Sequence, residues 1–288
     1  MSKDAHGTVF LAALVAVVGA GTAGVDTARA TEPCGDLEEC RAIVEINATD
    51  GDIGFHWLAD AEDLIGTEIV DPTGRRIFAN AAAGRLREQK LTETFGESSE
   101  PVCRSWLAEE PDDDVVTLRQ FLQRWPAGAY RFRGRADDGE VLSGRTPLTH
   151  WLPAAPRRVA FAGGVVTWEA GDSLGVCATR EQLWRLVDAG LLPIHPMNVP
   201  VKAWEVTLEL EDGSHRSFTV RLPARGAAAQ SSVTIPPEFL YSVRPDTPAK
   251  IEVGAIGGRL EVGDDDNATF TELGGLCLRR DQGCAEPE

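Results

Sequence analysis

The stretch that decides the fold is residues 204–222, WEVTLELEDGSHRSFTVRL. In residues 204–211, apolar and polar side chains alternate strictly, which is typical of a β-strand with one core face and one solvated face. Asp212 and Gly213 then form a tight-turn dipeptide, and the alternation resumes over residues 218–222. The stretch therefore predicts an antiparallel hairpin with one face towards water.

Short runs of β-branched and aromatic residues recur on both sides of this hairpin. They lie at residues 165–168, 233–235 and 251–255, and around Phe270. Short strands separated by turn residues are typical of an antiparallel sandwich. We therefore expect residues 157–275 to form a sandwich of about seven strands. Trp168 and Trp204 are expected inside it, because large aromatic side chains dominate such cores.

The order of these features resembles a fibronectin type III domain. Trp168 stands where that family has its second-strand Trp, and Trp204 takes the place of the aromatic residue that opens its third strand. Residues 245–253 (PDTPAKIEV) are similar to the family's P-G-T-x-Y-x-V-x-V corner, with Ala249 at the usual Tyr position. The resemblance implies a fibronectin type III-like β-sandwich for residues 157–275 and a scaffold or binding role.

One segment departs from the family pattern. Residues 171–199 are too long for the ordinary loop between the second and third strands. Thr179 and Gln182 have the spacing of a helix capping box, apolar residues follow at helical spacing, and Gly190 ends the pattern. The segment therefore predicts a helical insertion in the sandwich.

The preceding part of the chain is expected to form a second β-rich domain, so that the protein as a whole is mainly β. This N-terminal domain spans residues 31–153 and ends at a stiff connector, residues 152–156 (LPAAP). Thr117 and Gln120 predict one short helix by their capping-box spacing. A second short helix is expected near residues 91–95. After the sandwich, residues 276–288 are interpreted as a C-terminal tail.

The N-terminus has the features of a cleavable secretory signal over residues 1–30. Lys3 supplies a positive start, residues 9–18 are apolar, and residues 28–30 (ARA) fit the A-x-A cleavage pattern. The apolar run is shorter than the ~20 residues that a spanning helix needs. We therefore expect an exported protein, periplasmic or extracellular, that starts at Thr31 and has no stable membrane insertion after cleavage.

Composition limits the classes of partner. The 288 residues include 28 basic and 45 acidic side chains, a formal net charge of −17. Binding to nucleic acid needs a basic face for the phosphates, so the charge argues against a nucleic-acid role. The hydrophobic content of 43% is that of an ordinary globular protein.

The cysteines agree with export. All six follow the signal, and an even number in an exported chain favours disulfides over free thiols. Short separations favour the pairs Cys34–Cys40 and Cys277–Cys284. The fibronectin-like resemblance puts Cys177 in a loop at the pole where the chain enters the sandwich. It thereby implies a Cys103–Cys177 bridge between the two halves.

One short motif suggests an enzyme. Residues 171–174 spell GDSL, which resembles the signature of an esterase family whose nucleophile would here be Ser173. Asp212 and His215 supply the D-x-x-H that completes the triad in that family. The motif lacks the strand–turn–helix setting of those enzymes, so an exported GDSL-like serine esterase is the alternative to a non-catalytic protein.

A second motif suggests a metal ion. Asn47, Asp50 and Asp52 place three oxygen-bearing side chains around Gly51 directly after a predicted strand. Calcium takes oxygen ligands from such loops, although a polar turn explains the same residues. A calcium- or carbohydrate-binding N-terminal domain is therefore a second alternative. The favoured hypothesis is an exported, non-catalytic scaffold, adhesion or binding protein without a required cofactor, whose ligand is an unknown protein or carbohydrate.

Overall fold

The computed structural model describes residues 34–104, 115–224, 231–259 and 266–278. Before the connector, the elements in these ranges are β1 (Glu39–Asn47), β2 (Ile53–Val70), β3 (Arg76–Ala79), α1 (Arg85–Gln89), β4 (Leu91–Glu97), β5 (Val102–Cys103), β6 (Val115–Val116), α2 (Leu118–Arg124), β7 (Gly128–Ala136) and β8 (Val141–Leu148). After the connector, they are β9 (Arg157–Ala162), β10 (Val165–Glu169), α3 (Arg180–Asp188), a 3-10 turn (Pro196–Asn198), β11 (Val201–Leu210), β12 (Ser217–Pro223), β13 (Ser231–Thr234), α4 (Pro237–Tyr241), β14 (Pro248–Gly257) and β15 (Asn267–Cys277).

The second half is a β-sandwich, as expected from the sequence. A three-stranded sheet in the order β13-β10-β9 packs on four strands in the order β12-β11-β14-β15. The predicted hairpin is β11 and β12, which pair antiparallel from Ala203 to Glu209. Trp168 and Trp204 are 1% and 8% exposed and meet edge to face across the core, with ring centroids 5.9 Å apart. The prediction that both lie inside is confirmed.

The larger sheet does not end at the edge of the sandwich. Strand β15 pairs in parallel with β1, with Glu45 opposite Ala268, and the sheet continues through β2, β7 and β8. The connector, residues 152–156, therefore separates two hydrophobic cores along the chain but does not separate two sheets. Pairing with β1 covers what would otherwise be an open sheet edge on β15.

The first half has a hydrophobic core of its own. Phe55 on β2 stacks on Trp125 with ring centroids 4.2 Å apart. The start of the described chain lies on β8, because the Asp36 N–H donates to the Ser143 carbonyl at 2.9 Å. Gly144 makes this approach possible, since a Cβ there would come 2.2 Å from the Cys34 carbonyl oxygen.

The helical insertion forms as predicted but packs differently from the sequence-based assignment. Helix α3 begins at the Thr179–Gln182 capping box. Its buried residues Leu183 and Leu186 belong to the core of the first half and not to the sandwich core. The insertion therefore lies between two sandwich strands in the sequence, but its buried side chains pack in the core of the first half.

Residues 91–95 correct one expectation. The helix predicted there is strand β4, which pairs with β2 so that Phe95 lies opposite Leu58. The β-branched Thr92 and Thr94 favour a strand. The short helices before the connector are α1 and α2, and α2 starts at the predicted Thr117–Gln120 capping box. No helix in the described part of the chain is both long and apolar enough to cross a membrane.

Candidate functional site

A groove lies on the water-facing side of the sheet, over strands β11, β14, β15 and β1. The alternation that turns core residues inward turns Glu45, Glu205, Glu252 and Phe270 outward. The groove has a volume of about 380 Å³. That lies within the range of about 300–1,000 Å³ that ligand sites usually have. We call this depression the outer groove.

Gly254 forms the floor of the outer groove. It lies in register between Glu205 on β11 and Phe270 on β15. A Cβ at this position would lie 3.7 Å from the Phe270 Cβ and 3.9 Å from the Glu205 Cβ, which is ordinary van der Waals contact. The missing side chain therefore leaves a notch in which an added Cβ would fit without moving the backbone.

Part of the lining is apolar. Ile43, Ile256, Ala268 and Phe270 line the groove and are partly exposed. They surround the notch over Gly254 on strands β1, β14 and β15. The walls can therefore accept hydrocarbon, which a purely polar surface cannot do.

Two of the groove's acidic residues have their own cation. Arg221 donates from Nε and Nη2 to Glu205 Oε2, at 3.0 and 2.8 Å. The Lys202 ammonium contacts the Asp266 carboxylate at 2.5 Å. Each pair therefore places a cation within ion-pair distance of a groove carboxylate.

A third cation is shared among three carboxylates. Lys250 Nζ lies 2.9 Å from Glu252, 3.6 Å from Glu209 and 3.6 Å from Glu272. The hydrogen bond to Glu252 is the main cause that raises the pKa of Lys250, so the lysine stays charged. One positive charge for three negative ones leaves this side of the face acidic.

Glu45 is the exception among these carboxylates. It is partly buried at the centre of the face, and it makes no hydrogen bond or close ion pair with any residue that the structure describes. Burial raises the pKa of the Glu45 carboxyl above its usual value, and His56 opposes this rise only in part. The carboxylates of Glu100, Glu205 and Glu252 raise the pKa further.

His56 lies beside Glu45 and is itself surrounded by acids. Its Nδ1 is 3.6 Å from Glu97 and its Nε2 is 3.5 Å from Glu100. Gly54 makes room for this contact, because a Cβ there would come 2.8 Å from both the Glu100 carboxylate and the His56 ring. His56 Nε2 makes no hydrogen bond, and no ion pair joins His56 to Glu45 within the described residues.

The residues of the predicted esterase triad lie in different segments of the fold, with Ser173 before α3 and both Asp212 and His215 between β11 and β12. Ser173 accepts a long hydrogen bond from the Gly175 N–H at 3.4 Å, and Asp212 accepts from the Ser214 N–H at 2.9 Å. Within the described ranges, neither residue has a hydrogen bond to His215. A triad needs a base bonded both to the nucleophile and to an orienting group, and this arrangement supplies neither bond.

The glycine directly after the GDSL motif and the glycine inside the Asn47–Asp52 motif have a structural role. A Cβ on Gly175 would come 1.9 Å from the Ala48 carbonyl oxygen, and a Cβ on Gly51 would come 2.5 Å from the Cys103 carbonyl oxygen. The Val176 N–H donates to the same Ala48 oxygen at 3.0 Å. The loop that contains GDSL therefore packs backbone against backbone on the loop that follows β1.

Two of the three side chains proposed for calcium already accept hydrogen bonds from the chain. Asn47 Oδ1 accepts from the N–H groups of Thr49 and Asp50, at 2.9 and 3.2 Å. Asp50 accepts from the Asn47 amide at 3.4 Å, and Asp52 lies in an isolated bridge to Val102. This is the geometry of a polar turn that closes on itself. No group of three or more metal-binding side chains occurs among the residues that the structure describes.

The structure contains two of the disulfides expected from the sequence. Cys34 pairs with Cys40 and Cys103 with Cys177, with Cα atoms 5.2 and 4.7 Å apart. Cys277 is also disulfide-bonded. Its expected partner Cys284 lies outside the described residues. The Cys103–Cys177 bridge ties the insertion to the first half.

Sequence reasoning did not find the outer groove. The alternation in residues 204–211 indicates only that one face of the strand is solvated. The sequence does contain one usable signal, because the carboxylate of Glu45 lies between the β-branched residues Val44 and Ile46. Charged residues are rarely buried unless they are paired, so a glutamate in an otherwise apolar strand indicates a candidate functional position. No local sequence feature relates Glu45 to Gly254, because Gly254 lies on a strand that is distant in sequence.

Comparisons with known proteins identify no family. No protein-family model matches the chain, and no curated protein matches it in sequence. Among solved structures, it is similar to the BSP domain of a biofilm-associated protein, at 9% identity and a TM-score of 0.22, over 83% of this chain and 30% of that one. It is also similar to a cytokine receptor complex, at 12% identity and a TM-score of 0.26, over 82% of this chain and 96% of that one. A third similar structure is the chicken interferon gamma receptor alpha chain, at 5% identity and a TM-score of 0.23, over 83% of this chain and 97% of that one.

Proposed function

We propose that this chain is an exported, non-catalytic binding module of the fibronectin type III-like class, and that the outer groove is its binding surface. The observation that carries the proposal is a partly buried carboxylate, Glu45, with no close partner among the described residues, beside an open notch over Gly254. A charge that the fold buries without a partner lowers stability, so a residue kept in this state is best explained by a ligand that pairs with it.

Export is supported by the cysteine chemistry and by the N-terminal sequence. The Cys34–Cys40 and Cys103–Cys177 disulfides are of the kind that form and persist in oxidising compartments. Residues 1–30 have the composition of a secretory signal. Mass spectrometry of the mature protein is expected to find Thr31 at the N-terminus and no free thiol; an N-terminus at Met1 would contradict export.

A binding role is supported over catalysis by what surrounds the notch. The described residues that line the groove supply carboxylates, two guanidinium groups, a threonine, alkyl side chains and a phenyl ring, and they include no serine, cysteine or histidine. Ser173 and His215, the pair proposed from the sequence, are not hydrogen-bonded to each other within the described ranges. The substitution Ser173→Ala is accordingly expected to leave every binding property unchanged.

The experiment that tests the binding role is site-specific photo-crosslinking in the native host. A photoreactive amino acid replaces Thr219, which is exposed on β12 and bonded to groove residue Thr207 at 3.1 Å. The matched control replaces Arg87, which is exposed on α1. We expect a discrete protein adduct from position 219 and none from position 87. Equal crosslinking at both positions, or none at 219, would overturn the assignment of the groove.

A further inference from the structure

The charges of the outer groove do not balance. Arg221 pairs with Glu205 and Lys202 with Asp266. Arg41, which also lines the groove, pairs with Glu39. Lys250 serves three carboxylates. Glu45 has no close cation among the described residues, and its neighbour His56 is held between Glu97 and Glu100. The centre of the face therefore has an excess of negative charge that a cation would neutralise.

The walls of the notch decide which kind of cation fits. A divalent metal needs a shell of oxygen ligands, and the residues that the structure describes contain no suitable group of three. Next to Glu45, the groove is lined instead by Ile43, Ile256 and Phe270. Such walls suit a cation on a hydrocarbon stem, because the stem can lie on the apolar surface while its charged end reaches the carboxylate.

We infer that the outer groove binds a lysine or arginine side chain of a protein ligand, with its stem over Gly254 and its charged group on Glu45. This inference rests on the proposed binding function and names the chemistry of its ligand. The carboxylate would accept charge-assisted hydrogen bonds, which are among the strong ones in proteins. The lack of a Cβ at Gly254 lets the stem lie against the sheet.

The extent of the face favours a protein over a small cation. The outward side of β12, β11, β14, β15, β1, β2 and β4 is one continuous surface. Strands lie about 4.8 Å apart, so this surface is about 30 Å wide. That is the scale of a standard interface, which buries about 800 Å² on each partner. Exposed Phe95 at the β4 end adds apolar area to the same surface.

The chemistry of the ligand is tested first with a small probe on the mature protein. N-acetyl-arginine methylamide is titrated while the backbone amide signals are followed by NMR, and the neutral isostere N-acetyl-citrulline methylamide is the control probe. We expect saturable shifts at Glu45, Gly254 and Phe270 with the arginine probe only. Equal shifts with citrulline, or no shifts at these residues, would overturn the inference.

Two variants with matched controls locate the contact. Glu45→Gln removes the charge, and Glu181→Gln makes the same change of net charge at an exposed position of α3. We expect Glu45→Gln to weaken probe binding about tenfold or more, as the loss of a charge-assisted hydrogen bond predicts, and Glu181→Gln to leave it unchanged. Gly254→Val fills the notch and is expected to abolish binding, whereas Gly274→Val, at an exposed glycine of β15, is not. Equal losses in the variants and their controls would contradict the site.

A peptide selection separates this inference from the proposed function. A random library of dodecapeptides is selected on the wild-type protein and depleted on the Gly254→Val variant. We expect the surviving peptides to be enriched in lysine or arginine next to an apolar residue. Groove-dependent peptides without basic residues would overturn the cationic ligand but leave the binding function standing. Peptides that bind the Gly254→Val variant equally well would overturn both.

Discussion

The side chain of Asn267 accepts a hydrogen bond from the backbone N–H of Val44, at 2.8 Å, across 223 residues of sequence. Its Nδ2 donates to the carbonyl oxygens of Thr149 and Trp151, both at 3.1 Å. Asn267 is 1% exposed, so water cannot replace these bonds. A single amide therefore fastens β15 to β1 and to the segment before the connector, at the place where the two halves share one sheet.

Replacing Asn267 by Ala should destabilise the whole protein. The change leaves the Val44 N–H and two carbonyl oxygens buried without their partner, which we expect to cost about 3 kcal/mol. The free energy of unfolding, measured by urea denaturation, checks this value. Asn198→Ala, at an exposed position of the 3-10 turn, is the matched control and should cost less than about 0.5 kcal/mol. Similar losses for both variants would contradict the fastening role.

The two described disulfides should differ in their contribution to stability. Cys103 and Cys177 are 74 residues apart, whereas Cys34 and Cys40 are 6 apart. Loop-closure entropy predicts stabilisation of roughly 4.5 kcal/mol for the longer loop and roughly 2.4 kcal/mol for the shorter one. Paired Cys→Ser variants compared by urea denaturation test this ranking. The reverse ranking would show that the loop around Cys177 stays in place without its crosslink.

Trp168 should be essential for the sandwich core. It is almost fully buried against Trp204, and Trp168→Ala is expected to cost about 3–5 kcal/mol because it empties a large aromatic site. Trp184→Ala removes the same atoms at a position that is 43% exposed and should cost about 1 kcal/mol or less. Denaturation monitored by circular dichroism compares the two. A small effect of Trp168→Ala would place the residue outside the core.

Glu45 should make stability depend on pH in a defined direction. Because the pKa of Glu45 is raised in the folded protein, the fold favours the protonated carboxyl. The free energy of unfolding therefore falls as the pH rises from the ordinary pKa of a glutamate through the raised pKa in the folded protein. Glu45→Gln cannot ionise, so the variant should become more stable than the wild type over this interval and keep that advantage at neutral pH.

Comparison with the variant isolates Glu45 from its titratable neighbours. His56, Glu100, Glu205 and Glu252 face the same carboxyl and are present in both proteins. Thermal unfolding of the wild type and of Glu45→Gln, measured from pH 4 to pH 8, provides the difference curve. A difference that stays constant with pH, or that favours the wild type at neutral pH, would show that Glu45 has a partner in the free protein.

Local sequence patterns determined the sandwich and its strands. The alternation in residues 204–222 reports directly which side chains face the core, because successive side chains of a strand point to opposite faces. The capping boxes at Thr117 and Thr179 likewise act within one turn of helix, so their residues suffice to place α2 and α3. The order of tryptophans and turns that resembles a fibronectin type III domain is likewise a series of local features, each contained in a few consecutive residues.

Only the tertiary structure decided how these elements meet. The parallel pairing of β1 with β15, the packing of α3 on the first core and the Asn267 bonds each join residues that are distant along the chain. Periodicity specifies that a strand has a buried face, but it does not specify which other strand lies beside it. The outer groove depends on the same strand pairing. Glu45 on β1 and Gly254 on β14 come together only because β15 lies between these two strands.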